Sequence, residues 1–333
     1  MQGGTAENGR RPCAVPFCDK IKEVPMNKKN RSGFRERVAR ANARGDFAAA
    51  FMMLPAVALL IVMSIYPFFW LFRYICYDYN GFQAYFTGTR NFMRMLEDAT
   101  FWGSVLHTFE YAGLKLLFVI PLSLLLAVLL NQKLAGSSVY RGIFFMPTVI
   151  SSAVYSLIFG FIFAVYHGVL NASLQKLGII QTPVDWLGDP SVVMLSIVIV
   201  AVWGGFGNYM IYFISGMSSI PEEVYESSRI DGANGVQTFF HITLPMLSPV
   251  LKVILMLAIT TAFKDYQSIL VLTDGGPNNR SHVMFSYIYK LIFSSATTPQ
   301  IGYATMLSVV AALIIGIVTA IYMYVARRLD DVV

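Results

Sequence analysis

The chain has 333 residues, of which 56% are hydrophobic and only 13% are charged, and its formal net charge at pH 7 is +6. Soluble globular proteins carry about a quarter of their residues as charged side chains, so this composition argues against a soluble enzyme. The mean hydropathy is +0.58. Because the apolar residues fall in long blocks instead of at helical or strand periods, lipid is the predicted solvent for most of the chain.

The N-terminal segment, residues 1–46, is a polar and basic tail with eleven Lys and Arg residues. It does not resemble a secretory signal, because the first apolar block begins only at Phe47 and is long enough to remain as a span. Residues 1–25 lack periodicity, so they are either a disordered extension or they precede the true start at Met26. We expect a chain that starts at Met26 to insert, assemble and transport like the longer one.

The cysteines carry no function that can be inferred from their spacing. Cys13, Cys18 and Cys76 form no CxxC pattern, and no nearby histidine has a spacing suited to zinc. The sequence therefore indicates neither a disulfide framework nor a metal site.

Six apolar blocks each provide the roughly 20 residues that a helix needs to cross a hydrocarbon core. Backbone in lipid must satisfy its own hydrogen bonds, and the short alternating segments of a closed barrel do not occur, so we predict helices. The expected fold class is an all-α membrane protein with six transmembrane helices, in a domain from 47 to 326 followed by a C-terminal segment from 327 to 333. The predicted spans are Phe47–Phe72, Ser104–Leu130, Tyr140–Val165, Ser191–Gly216, Met246–Leu272 and Gly302–Ala326.

The distribution of basic residues predicts the orientation of the spans. One side of the membrane would hold sixteen of the 25 Lys and Arg residues, including the eleven of the tail, and the other side would hold six. The positive-inside rule then places both termini in the cytoplasm. Without the tail the two sides hold five and six basic residues. The orientation inferred from charge therefore depends on the tail.

The connection between the fourth and fifth spans, residues 217–245, has a pattern of its own. Pro221 followed by two glutamates is typical of a helix N-terminus, where proline fits the first turn and carboxylates are favoured. Asp231-Gly232 ends this helix with a turn, and a short amphipathic segment continues to Pro245. The pattern predicts a helix–turn–helix elbow at the membrane surface, and on charge alone it would be an ordinary interfacial connector.

The residues of this elbow resemble the EAA loop of ABC importer permeases. That pattern runs Glu-Ala-Ala, two residues, Asp-Gly-Ala, five residues, Phe, then Ile-x-Leu-Pro and a further Pro. The chain departs from it at Ser227-Ser228, which replaces Ala-Ala with residues of nearly the same size and slightly lower helix propensity. The matching positions, in register over 24 residues, are Glu226-Ser227-Ser228, Asp231-Gly232-Ala233, Phe239, Ile242-Thr243-Leu244-Pro245 and Pro249.

This resemblance implies that the elbow is a coupling helix that inserts into a groove of a cytoplasmic ATPase. It places residues 217–245 in the cytoplasm, in agreement with the charge count. Glu226 would bind the groove by charge, and Tyr225 and Ala233 would pack into it. The residues implied to couple to the ATPase are Glu222, Tyr225, Glu226, Ser227, Ser228, Asp231, Gly232, Ala233, Phe239, Leu244 and Pro245.

Two further segments extend the resemblance over most of the chain after the first span. Residues 131–147 look like the connector and the start of the third span in carbohydrate-type permeases. Residues 272–277, with a Gly-Gly-Pro turn, resemble the subunit similar to the larger maltose-transporter permease. These segments imply a type I permease-like bundle in the plasma membrane of a bacterium or archaeon.

The resemblance also implies partners and a function. The expected assembly contains a second homologous permease, two ATPase subunits and an extracytoplasmic solute-binding protein, with no nucleic acid. The chain would be a non-catalytic subunit that imports an oligosaccharide or a related polyhydroxylated solute by alternating access. It would bind no cofactor itself, because ATP and magnesium would lie on the ATPase subunits.

Glycine-rich residues in the fourth span do not form a nucleotide site. No Walker A pattern occurs in the sequence, and residues 204–207 lack its lysine and lie inside a hydrophobic block. These glycines either let two helices approach closely or leave room beside a translocation path.

Polar side chains inside spans are costly and are candidates for the substrate pathway. Lys264 and Asp265 are adjacent, and adjacent residues point about 100° apart on a helix, so both cannot face one point of a lumen. One would pair with a neighbouring helix while the other meets a sugar hydroxyl, and the alternative is a buried structural ion pair. The predicted pathway residues are Trp203, Asn208, Lys264, Asp265, Tyr266 and Gln267.

Three polar residues of the second span leave other functions open. His107, Glu110 and Lys115 could form a proton relay, but their position toward the outer boundary favours snorkelling or contact with the solute-binding protein. The alternative function is a secondary transporter driven by an ion gradient, with Lys264, Asp265 and Glu110 as its relay. It predicts internal repeats and helices broken near mid-membrane, and the sequence shows no clear two-half repeat.

Overall fold

The computed structural model describes residues 51–132, 136–294 and 298–330. The predicted N-terminal tail and the alternative start at Met26 lie outside the described residues. The helices are α1 (Phe51–Cys76), α2 (Arg90–Glu97), α3 (Ala99–Leu130), α4 (Ser137–Val149), α5 (Ser152–Ile162), α6 (Val169–Lys176), α7 (Val193–Ser218), α8 (Glu222–Ile230), α9 (Gly235–Met246), α10 (Ser248–Lys264), α11 (Gln267–Thr273), α12 (Met284–Phe293) and α13 (Ile301–Asp330).

The chain divides into two units, Met1–Phe69 and Trp70–Val333. In the first unit the described residues belong to α1, and their large apolar side chains are exposed. An exposed apolar helix of this length is suited to lipid. In the second unit α7 is the most enclosed of the long helices and packs against α3, α4 and α10.

Four helices, α1, α3, α7 and α13, are long and apolar enough to cross a membrane. Two bent pairs also qualify: α4 with α5, bent by 94°, and α9 with α10, bent by 68°. The described residues therefore provide six spans when each bent pair counts as one. This helical architecture confirms the predicted all-α membrane fold.

Two predicted spans are not continuous helices. In the third span, Ile150 and Ser151 are extended and separate α4 from α5. In the fifth, Asp265 is extended and separates α10 from α11. The predicted spans over 140–165 and 246–272 therefore contain breaks, which hydropathy does not register because an extended residue can lie within an apolar block. Broken helices are also a feature that the ion-gradient alternative predicts.

A short β-hairpin connects the first and second spans, which the sequence did not predict. Strands β1 (Tyr77–Tyr79) and β2 (Ala84–Phe86) are antiparallel, with Tyr77 opposite Phe86. At the turn, the Asn80 side-chain oxygen accepts hydrogen bonds from the backbone N–H groups of Phe82 and Gln83 at 3.0 and 2.8 Å. Such a side-chain turn explains how the hairpin closes.

The glycine-rich residues of α7 lie where this helix contacts α4 and α5. A Cβ at Gly207 would overlap the carbonyl oxygen of Phe144 in α4, and one at Gly204 would overlap the ring of Tyr155 in α5. Gly205 is different, because the nearest atom to its Cβ position belongs to Val119 at 3.9 Å. At Gly204 and Gly207 the structure thus supports the close-packing interpretation, since small residues let helix backbones approach.

Candidate functional site

The elbow between the fourth and fifth spans is built as α8, a turn and α9. Pro221 precedes α8 in an extended conformation, and the first turn carries two glutamates. Gly232 has φ +78°, a left-handed conformation that glycine adopts without strain and that reverses the chain after Asp231. Asn234 and Gln237 then form a reciprocal capping box at the start of α9. The predicted helix–turn–helix elbow is therefore present.

Two of the predicted coupling residues, Tyr225 and Ser228, face the protein instead of solvent. Ser228 is 4% exposed, and its hydroxyl donates to the carbonyl oxygen of Tyr225 at 2.9 Å. Tyr225 packs against the core of the bundle, with its hydroxyl 3.5 Å from Oγ1 of Thr243. Position 228 is therefore enclosed by the protein, and a small residue occupies it.

The other predicted coupling residues divide by exposure. Ala233, Phe239 and Leu244 are half-buried within the elbow. The residues exposed at its surface are Glu222, Glu226, Ser227, Asp231, Gly232 and Pro245. The exposed members of the predicted set are therefore mostly acidic or small.

Three exposed apolar side chains of the elbow were not singled out from the sequence as coupling residues. Ile230 is 86% exposed at the end of α8, and Val236 and Phe240 project from α9. The ring of Phe240 packs edge-on against Phe239, with centroids 5.0 Å apart. The available signal was the presence of apolar residues in two short segments that also carry polar ones.

A buried ion pair lies at the break between α10 and α11. Lys115 of α3 places its Nζ atom 2.8 Å from Oδ2 of Asp265. The same carboxylate accepts a hydrogen bond from the Tyr111 hydroxyl at 2.5 Å and another from Ser268 at 3.1 Å. Asp265 is thus one of the predicted pathway residues that pairs with a neighbouring helix.

The remaining predicted pathway residues of the fifth span surround this break. Lys264 and Gln267 are exposed, and Gln267 accepts a hydrogen bond from the Ser152 hydroxyl at 2.6 Å. Tyr266 packs its ring against Tyr289, with centroids 5.6 Å apart. The carboxylate of Asp265 is thus enclosed, whereas the side chains of Lys264 and Gln267 are exposed.

The predicted pathway residues of the fourth span lie on α7. Trp203 is half-buried and packs edge-on against Tyr155 and Phe159, at centroid distances of 5.8 and 5.3 Å. Asn208 is half-buried. Trp203 therefore belongs to an aromatic cluster between α5 and α7.

The three polar residues of the second span have separate environments. Lys115 is buried against Asp265, so the interpretation that it snorkels or meets a solute-binding protein is wrong. His107 and Glu110 instead contact Arg280. Nη1 of Arg280 lies 3.1 Å from Nε2 of His107, and Nη2 lies 3.5 Å from Oε1 of Glu110. Arg280 comes from the exposed loop that follows the Gly-Gly-Pro turn.

A polar cluster that the sequence analysis missed lies where α3 begins. Oδ1 of Asp98 accepts hydrogen bonds from two backbone N–H groups of α3, and Oδ2 accepts from the hydroxyls of Tyr287 and Tyr303 at 2.9 and 2.6 Å. Burial alone would raise the pKa of Asp98, but the accepted hydrogen bonds outweigh it and lower the pKa below the ordinary value. An aspartate directly before an apolar helix was the signal for this N-cap.

Among the residues that the structure describes, no group of three or more His, Cys, Asp or Glu side chains could hold a metal ion. Hydrogen-bonding and charged side chains lie at the elbow, at the helix break and around Asp98.

The same fold occurs in solved transporter structures. One is the crystal structure of a bacterial ABC transporter involved in the import of the acidic polysaccharide alginate, with a TM-score of 0.76 and 23% identity over 88% of this chain and 99% of that chain. A second, of the alginate transporter in complex with an alginate pentasaccharide-bound periplasmic protein, gives a TM-score of 0.75. These matches confirm the predicted importer-type permease bundle.

The sequence matches define the family. Residues 119–331 match the model of the binding-protein-dependent transport system inner membrane component family. The chain is 33% identical to the probable ABC transporter permease protein YurN of Bacillus subtilis, over 79% of this chain and 90% of that protein. It is 31% identical to the lactose transport system permease protein LacF of Rhizobium radiobacter, over 82% of this chain and 92% of that protein. The chain belongs to this family of membrane permeases.

Proposed function

We propose that this chain is the permease subunit of an ATP-driven importer for an oligosaccharide or a related polyhydroxylated solute. The observation that carries the proposal is the elbow, which lies inside the family match and exposes acidic and apolar side chains outside the bundle. Relatives named for lactose, arabinooligosaccharide and trehalose/maltose transport, each 31% identical to this chain, support the solute class.

The elbow would transmit the work of ATP hydrolysis to the spans. Exposed Glu226 would meet a cationic group of an ATPase subunit, and Ile230, Val236 and Phe240 would fill an apolar groove there. Tyr225 packs against the core cluster that contains residues of α7 and α10, so a displacement of the elbow would reach these helices. Charge complementarity with apolar side chains in a pocket is the usual composition of a specific interface.

The proposed assembly contains a second homologous permease, two ATPase subunits that hold ATP and magnesium, and an extracytoplasmic solute-binding protein. The alginate transporter bound to its periplasmic protein supports the last of these partners. This chain would bind no cofactor, and both termini and the elbow would lie in the cytoplasm. The charge count and the elbow agree on that orientation.

The solute would pass the exposed polar side chains beside the helix break. Gln267 and Lys264 can donate hydrogen bonds to sugar hydroxyls, and Ser152 fixes the carbonyl end of the Gln267 amide. Trp203, Tyr266 and Asn208 would complete the pathway with the second permease. Alternating access would follow from rigid-body motion of the spans around this polar region when the ATPase subunits close.

A second candidate function, transport driven by an ion gradient, is favoured by the broken helices and by the buried Lys115–Asp265 pair. The two candidates differ in what the chain needs. The importer needs an ATPase, whereas a secondary transporter works alone.

The test is reconstitution of the purified chain into vesicles, alone and with the ATPase and permease that copurify with it. We expect uptake of a labelled oligosaccharide only in the complete assembly with binding protein and ATP. The chain carrying Phe240→Asp should lose ATP-dependent uptake, while the control variant Tyr166→Asp, at another exposed aromatic position outside the elbow, should keep its coupling to ATP. Uptake by this chain alone under an ion gradient would overturn the proposal.

A further inference from the structure

The β-hairpin has a composition that neither the coupling elbow nor the solute pathway explains. Five of its ten residues from 77 to 86 are aromatic, and only Asp78 is charged. At the turn, Phe82 is 96% exposed, and on β2 Tyr85 and Phe86 are 63% and 71% exposed. Exposed aromatic side chains clustered in this way mark an interaction surface.

The position of the hairpin is set by the two apolar helices next to it, α1 and α13. Strand β1 begins at Tyr77, directly after α1 ends at Cys76. The backbone of β1 lies close to Gly302 in the first turn of α13. The contact is so close that a Cβ at Gly302 would overlap the carbonyl oxygen of Tyr77. The hairpin is therefore fixed beside the ends of two apolar helices.

A ladder of aromatic rings joins the end of α1 to the hairpin. Trp70 packs against Tyr74 at a centroid distance of 4.6 Å, and Tyr74 stacks on Tyr79 at 4.5 Å. Across the strands, Tyr77 contacts Phe86 at 5.4 Å. Because Tyr74 also contacts Tyr77 at 6.2 Å, the exposed ring of Phe86 is continuous with rings at the end of α1.

We propose that this hairpin is an interfacial element that inserts Phe82 and Phe86 into the headgroup region of the lipid leaflet on the side opposite the elbow. With α4 and α5 as one span, three spans separate the hairpin from the elbow, which places them on opposite sides. Tyrosine and tryptophan concentrate at membrane interfaces because their rings are apolar and their tips are polar. The hairpin carries five aromatic rings and a single formal charge, that of Asp78.

Two tyrosine hydroxyls near the tip of the hairpin are satisfied within it, which favours lipid over a protein partner. The Tyr79 hydroxyl donates to the Gly81 carbonyl at 3.1 Å, and the Tyr85 hydroxyl donates to Gln83 Oε1 at 3.2 Å. The rim of a specific protein interface instead offers polar and charged groups to its partner. The inserted hairpin would fix the depth of α1 and α13, whichever solute is transported.

The test places an environment-sensitive fluorophore on Phe82→Cys in the full chain with Cys13, Cys18 and Cys76 changed to serine. The chain is reconstituted in vesicles of phosphatidylcholine and phosphatidylglycerol whose acyl chains carry bromine near the headgroups or near the bilayer centre. The matched control is Asn279→Cys, an exposed polar position in the loop after the fifth span. Both labels lie on exposed turns, so neither should disturb the packed helices.

We expect the label at position 82 to show blue-shifted emission, strong quenching by the shallow bromine and little quenching by aqueous iodide. The label at position 279 should be quenched by iodide. Equal quenching of both labels by iodide would overturn the proposal. Protection of position 82 that appears only when a soluble partner protein is added would also overturn it and would assign the hairpin to that partner.

Discussion

Lys115 Nζ lies 2.8 Å from Oδ2 of Asp265, and this contact ties the middle of α3 to the break between α10 and α11. Both side chains are nearly enclosed, with 10% and 17% of their surfaces exposed. The Tyr111 hydroxyl donates to the same carboxylate. A buried charge is tolerated when it is paired and hydrogen-bonded, and this pair lies at the point where the fifth span breaks.

Removal of either charge alone should destabilise the protein more than removal of both. Lys115→Met leaves a buried carboxylate without its cation, and Asp265→Leu leaves a buried ammonium, each at a cost of about 3–5 kcal/mol. The double variant Lys115→Met/Asp265→Leu should recover much of this loss. Thermal unfolding in detergent measures all three variants. Single variants as stable as the wild type would show that the pair does not support the fold.

Gln267 should contribute to solute affinity without contributing to stability. Its side chain is exposed, and loss of one hydrogen bond to a neutral solute is worth about 0.5–1.5 kcal/mol, or roughly a twofold to tenfold rise in the KM of uptake. Gln267→Ala should show this rise with an unchanged unfolding temperature. The control is Thr260→Ala, because the Thr260 hydroxyl already donates to carbonyl oxygens of its own helix. Equal kinetics for Gln267→Ala and the wild type would remove Gln267 from the pathway.

The spans and the elbow were predictable because their signals are local. Apolar blocks of about 20 residues identify membrane helices without any knowledge of packing. The elbow could be located from Pro221, Asp231-Gly232 and Pro245, because proline and glycine restrict or free the backbone at their own positions. The roles proposed for its side chains still depend on a partner.

The helix breaks and the polar clusters depend on contacts that are distant in sequence. Lys115 and Asp265 are 150 residues apart, and Asp98 meets Tyr287 and Tyr303 across more than 180 residues. Composition near Lys115 suggested the outer boundary of the membrane, whereas its environment is set by α10 and α11. The hairpin escaped prediction because three-residue strands are too short to produce an alternating pattern.

Close approach of α7 to α4 should make Gly207 intolerant of any side chain. Gly207→Leu would overlap the Phe144 carbonyl, and overpacking of this kind costs about 1–3 kcal/mol or more. Gly205→Leu on the same helix has more room and is the matched control. Unfolding temperature and yield of folded protein should fall for Gly207→Leu and change less for Gly205→Leu. A smaller loss at position 207 than at position 205 would contradict the packing shown by the structure.

Charge reversal at the elbow should uncouple the ATPase from transport. Glu226→Lys changes an exposed residue, so the protein should insert and fold normally. If Glu226 meets a cation of the ATPase, the reversed charge should weaken association by about tenfold or more and abolish solute-stimulated hydrolysis. Glu223→Lys, at an exposed position of the same helix outside the predicted coupling set, should have a smaller effect. Normal solute-stimulated hydrolysis by Glu226→Lys would exclude this role for Glu226.

Asp98 should make stability depend on pH in the acid range. Because its pKa is lower in the folded protein than the ordinary value of 3.8, the carboxylate stabilises the fold at higher pH, and this contribution disappears as the pH falls through the folded pKa. Asp98→Asn keeps an N-cap oxygen but loses an ionised acceptor for Tyr287 and Tyr303, so it should destabilise the protein near neutral pH by about 1.5–3 kcal/mol. Unfolding temperatures of both proteins from about pH 7 down to about pH 3 should converge below the ordinary carboxyl pKa. A gap between the two that stays constant over this range would show that ionisation of Asp98 does not stabilise the start of α3.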